Sequence, residues 1–196
     1  SLFSGVYLRP CILGESLETS DISSFIYQKL HSCSLSVEDA LQIRQLITEV
    51  QIDKLYNLVT VITKEYKIPI NNSGVLRSLI NHLADNYSPR HLFFTFHFKA
   101  RETIVRIHKD NAPRYIARNY FTQTVGNHIK FLEHNNLDLL KIWDLPPEIE
   151  TSPFEALFSQ IYLEGHFDWN MLSAKEVVAL WLDKVSFAED AQKHLT

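Results

Sequence analysis

Apolar residues recur every three or four positions along most of the chain, the spacing that gathers them on one face of an α-helix. In "SDISSFIYQKLHS" Ile22, Phe25, Ile26 and Leu30 share a face. Ser36 is placed to cap "SVEDALQIRQLITEV", whose stripe is Ala40, Ile43, Ile47 and Val50. "IDKLYNLVTVITKEY" repeats the pattern with Ile52, Leu55, Val59, Ile62 and Tyr66. The break between these two stripes predicts an antiparallel hairpin or a sharp corner. "IPINNSG" then connects to a helix over "VLRSLINHLADNY". Pro113 opens another over "PRYIARNYFTQTV", with Ala117, Tyr120, Phe121 and Thr124 inward, and Gly126 marks the passage to "NHIKFLEHNN". A short helix "LDLLKIW" is expected before Leu145-Pro146-Pro147, and Ser152-Pro153 starts one over "FEALFSQIYLEG". Near the end, Ser173 and Glu176 form a capping box, and Val178, Trp181, Leu182 and Val185 lie on one face. Residues 1–18 follow no helical period and are interrupted by Pro10 and Gly14. The expected fold is all-α, a succession of short antiparallel helix pairs after an irregular or short-strand N-terminal segment.

Residues 88–111 read two ways. Phe94, Phe96 and Phe98 alternate as in a strand, with Ile104 to Ile107 as a hairpin partner. Ser88-Pro89 is also a helix start, and Phe93, Phe96, Ala100, Ile104 and Ile107 fit a 3.6 period. The helix is preferred because both neighbours are helical.

Composition narrows function more than fold. The 196 residues are 45% hydrophobic and 21% charged, an ordinary globular balance, with only 5 glycines and 7 prolines to interrupt helices. A formal charge of −4, spread along the chain, lacks the concentrated basic face that a phosphate backbone requires. Lys99, Arg101, Arg106 and Lys109 follow the phenylalanine run and are the candidates for the alternative reading, a helical nucleic-acid-binding or regulatory domain. Cys11 and Cys33 have no metal-ligand spacing and read as reduced thiols of a cytoplasmic or nuclear protein. No apolar run is long enough to span a bilayer.

Nothing in the sequence points to catalysis. The nine histidines include no H-E-x-x-H pair, and His91, His97 and His108 have no ligand spacing. C-x-x-C, G-x-S-x-G and phosphate-loop motifs are also missing, so no enzyme activity and no cofactor are expected.

The order of segments carries a resemblance. Leu2-Phe3-Ser4-Gly5, Phe25-Ile26-Tyr27, Leu35-Ser36-Val37-Glu38-Asp39-Ala40-Leu41 and Ile52-Asp53-Lys54-Leu55 resemble successive elements in the C-terminal half of a BTB (POZ) domain. "ARNYFTQTVGNHIKFLEHNNLDLL" and "SAKEVVALWLDKVSFAEDAQKHL" are similar to helices of the BACK domain that follows BTB in Kelch-type adaptors, with Trp181 as its core tryptophan. The resemblance implies a partial BTB-like region over 1–67, a BACK-like domain over 68–196, and a non-enzymatic protein-interaction adaptor or scaffold. It further implies substrate-adaptor work for a cullin-based ubiquitin ligase; the candidate contacts are Leu2, Phe3, Tyr7, Leu8 and Arg9 and, on the helix pair, Tyr56 and Leu58, with simple packing as the alternative for the apolar ones. Trp181, Phe121 and Leu132 are expected in the core. Two departures matter. The first half of a BTB fold, which carries the family's dimer exchange, has no counterpart here, so a homo-oligomer is left open. Arg9 stands where such adaptors carry a cullin-facing carboxylate, which reverses a charge in that contact.

Overall fold

A computed structural model describes residues 37–70, 73–139, 141–149, 151–165 and 168–184. Among them lie six α-helices and no strand, which agrees with the all-α expectation. Residues 1–36, including the candidate contacts Leu2, Phe3, Tyr7, Leu8 and Arg9, lie outside the described residues, as does Val185.

The expected helix pair at the start is one rod, α1, Val37–Glu65. No proline or glycine occurs between Ser36 and Ile68 to stop it. The two stripes look separate because Gln51 and Lys54, polar in sequence, belong to the buried face: both are almost wholly inaccessible, in line with Ile47, Leu55, Leu58 and Ile62. The rod ends at Lys67, which turns left-handed (φ 53°) while the Ile68 N–H bonds the Thr63 carbonyl at 2.8 Å. This places the next residue, Ile68, into the core.

α2, Gly74–Asn86, is capped by Ser73, whose hydroxyl accepts from the Leu76 N–H, and buries Leu76, Ile80, Leu83 and Ala84. α3, Pro89–Lys109, confirms the helical reading of 88–111, with Ser88 as N-cap, proline in the first turn and Phe96, Ala100 and Ile107 inward. After a 3₁₀ turn at Arg114–Ile116, α4 runs Ala117–His134 without interruption, so Gly126 lies inside the helix rather than at a boundary. Tyr120 and Thr124 are only half-buried, while Phe121, Val125, Ile129 and Leu132 face in. "LDLLKIW" is not helical at its described positions; 137–139 and 141–146 run as an irregular loop. α4 terminates left-handed at Asn136 (φ 51°), and the loop that follows is held by outside partners rather than by its own periodicity.

α5, Pro153–Tyr162, starts at Ser152-Pro153 and α6, Ala174–Leu182, at the Ser173–Glu176 capping box, both as the sequence predicts; α5 has in addition a capping box of Ser152 with Glu155, whose pattern alone does not reveal that Glu155 is buried. A 3₁₀ turn, Trp169–Met171, lies between them.

Two hydrophobic clusters result. The larger joins the second half of α1 to α2, α3 and α4. The smaller joins Ala40 and Ile47 of α1 to Phe158, Leu163, Trp169, Val177 and Trp181, and Trp181 is fully buried. α1 is common to both. Where the clusters meet, the Gln51 amide donates to the Trp169 and Leu172 carbonyls, each at 3.0 Å, and the Lys54 ammonium bonds Glu155 and, at 2.7 Å, Asn170.

Candidate interaction surface

α3 has a well-packed inner face, and its outer face mixes charged groups with exposed apolar ones. Phe94, Phe98 and Val105 lie on the side away from the core, with Phe98 50% and Val105 61% exposed. A surface helix ordinarily turns charged and polar groups to water, whereas here three apolar side chains share that face with Arg101. Phe94 and Phe98 stack with centroids 6.1 Å apart.

A second segment extends the surface. Trp143 packs edge-on against Phe94 (5.1 Å) and Phe93 (5.8 Å) and leans on His97 (5.3 Å), and 40% of it remains exposed. Lys141 places its ammonium 4.6 Å from the Phe94 centroid, within cation–π range. Arg90 holds this loop in place. Its carbonyl accepts from the Trp143 N–H at 3.4 Å, and its guanidinium spans Asp144 at 3.5 Å and Asp168 at 3.3 Å.

The sequence-predicted residues separate cleanly. Leu58 is fully buried in the larger cluster and cannot meet a partner: it lies on the inner face of α1 with Leu55, Val59 and Ile62. Tyr56 is half-buried against the same cluster. Lys99, Arg101, Arg106 and Lys109 are all on α3 but do not form one cationic face. At about 100° per residue, Lys99, Arg106 and Lys109 fall within roughly 80° of arc and Arg101 lies beyond it. Lys99 is paired with Glu102 at 2.9 Å and Arg106 with Asp110 at 2.5 Å. Phosphate binding at Lys99 or Arg106 would compete with these pairs, and Arg101 and Lys109 are about 80° apart, so the four cations make no joint phosphate-binding face.

The other polar clusters are struts. Glu133 on α4 accepts from the Tyr87 hydroxyl at 3.1 Å and lies 2.6 Å from His82 Nε2 on α2. Burial, then this hydrogen bond, push the Tyr87 phenol up to about 12, so it stays protonated and is no base. A recess of about 430 Å³ beside α5 is lined by Glu155, Ser159, Trp169 and Asn170. Its polar groups are engaged: one Glu155 oxygen meets Lys54, the other accepts from the Ser152 N–H, and the Trp169 indole donates to Ser159. Among the described residues no three His, Cys, Asp or Glu side chains converge as a metal site, and no helix is long and apolar enough to cross a membrane.

Family models, curated proteins and solved structures include no match to this chain. Only the chemistry of the surface on α3 bears on what it does. Sequence reading missed it because a phenylalanine run on a helix is by default a core face; the available signal was that Phe94, Phe98 and Val105 lie off the Phe96–Ala100–Ile107 stripe.

Proposed function

We propose that the chain is a non-enzymatic protein-interaction scaffold whose working surface is the outer face of α3 together with the loop at 141–143. The carrying observation is the pair Phe98 and Val105, half or more exposed on a helix whose opposite face is fully packed. Such a surface, backed by a rigid helical body, suits docking of a protein partner rather than turnover of a small molecule. The finer reading, a BTB- and BACK-like adaptor for a cullin-based ligase, is supported only by the resemblance of the quoted segments.

The surface is tested by immobilising the native chain and a Phe98→Glu, Val105→Glu double variant and comparing the proteins each retains. Selective loss from the variant is expected, and identical capture removes this face from the proposal. The ligase reading has its own test, binding of purified cullin to the native chain and to Arg9→Glu. Binding that appears or strengthens with the restored carboxylate supports adaptor work, and no binding by either chain ends the ligase reading while the scaffold remains.

A further inference from the structure

Phe94, Phe98, Arg101 and Val105 are spaced 4, 3 and 4 residues apart along α3. That is the spacing with which one helix presents a seam to another, so each position can seat in a hole on the facing helix. The four positions fall within about 60° of arc, a narrow row along the axis rather than a broad patch, and a second helix can lie along such a row. The seam extends about 17 Å along the helix axis, about three turns.

Three cations border it without an ion pair, whereas Asp144 beside Trp143 and Asp110 at the end of α3 are held by Arg90 and Arg106. Arg101 within the seam, Lys109 one turn past its end and Lys141 beside Phe94 make no ion pair among the described residues. Glu102, the nearest carboxylate on α3, is held by Lys99. A second copy of this chain would bring the same three cations together, a juxtaposition that disfavours pairing.

We infer that the outer face of α3 docks an amphipathic helix of a partner protein, with apolar residues at 4-3-4 spacing and acidic residues flanking them to meet Arg101, Lys109 and Lys141. This rests on the reading of the face as an interaction surface and specifies what that surface takes. The partner's aliphatic side chains would seat between Phe94, Phe98 and Val105, with Trp143 as a side wall. The carboxylates would select the partner and set its direction.

The probes are two stapled helical peptides of about three turns, both with leucine at the 4-3-4 positions. One is flanked by glutamate and its twin by lysine. Fluorescence anisotropy against the full chain should show the glutamate peptide binding at least about tenfold tighter than the twin, with the preference shrinking as salt rises. Arg101→Glu should narrow or invert the preference. Phe98→Glu and, independently, Val105→Glu should abolish binding while far-UV circular dichroism stays native. Equal binding of both peptides, or binding of neither, overturns the inference. If neither peptide binds but capture of cellular proteins still depends on Phe98 and Val105, the surface stands and the acidic helix falls; if capture is indifferent to them, both fall. Sedimentation of the native chain as a dimer that Phe98→Glu dissociates also overturns it, in favour of a second copy.

Discussion

Lys54 and Glu155 are 101 residues apart, both almost wholly buried, and each neutralises the charge of the other. A buried pair adds little to stability compared with apolar residues, but a single buried charge left without its partner is costly. Lys54→Met should destabilise the chain by about 3–5 kcal/mol in urea unfolding. Adding Glu155→Gln should recover most of that, because the amide still accepts from the Ser152 N–H and no charge is left stranded. A double variant as unstable as the single would show that the loss came from packing. His128 makes the second residue-scale case. Burial, and after it the charge of Lys99, lower its imidazole below the usual value, with Glu102 opposing. The unfolded chain therefore takes up this proton first, so the contribution is whole above about pH 6.5 and is lost as pH falls from there through the folded pKa. His128→Gln should flatten the fall in unfolding free energy over that window relative to the native chain; an unchanged slope assigns it to other groups.

The helices show which signals a sequence carries and which it hides. Ser88, Ser152 and Ser173 begin helices as their spacing to proline or glutamate indicates, because capping is a local hydrogen-bond pattern written in three or four residues. In sequence the rod α1 resembles two helices because Gln51 and Lys54 are polar, and their burial is explained only by carbonyls and a carboxylate more than 100 residues away. The same long-range dependence hid the loop at 141–146, whose position depends on Arg90. Of the interaction surface, the residues were visible and their outward direction was not, since Phe96 and Phe98 differ only by the arc between them. Glycine 126 misled for a simpler reason: it is mid-helix, where glycine weakens the helix without ending it. A methyl group there would meet Leu79 Cδ1 at 3.9 Å, ordinary contact distance. Gly126→Ala should therefore raise stability by about 0.5–1 kcal/mol. The reverse holds at Lys67, exposed and left-handed at the end of α1, where Lys67→Gly should gain up to about 1 kcal/mol. Thermal unfolding checks both, and a loss at Gly126 would mean that α4 and α2 approach too closely to admit a methyl.

At the scale of the molecule, one helix serves two cores. Unfolding the smaller cluster would expose the first half of α1, and with it the Gln51 and Lys54 contacts that close the boundary to the larger cluster. A shared rod with a buried polar junction should make the two clusters melt together, since fraying one leaves charges and carbonyls without partners in the other. The tryptophans allow the test. Trp169 and Trp181 lie in the smaller cluster, whereas far-UV circular dichroism reports helices throughout; replacing the exposed Trp143 with phenylalanine confines the fluorescence to the smaller cluster. In that Trp143→Phe background, fluorescence and dichroism should give coincident urea midpoints. Adding Lys54→Met should split them, with fluorescence falling first, because the polar junction couples α5 to α1 at the boundary of the two clusters, beside the packing of Ala40 and Ile47. Coincidence in both chains would mean that apolar packing alone couples the clusters. A split already present before the lysine is changed would mean that α1 does not transmit stability between them, and a partner docked on α3 would then leave α5 and α6 free to open.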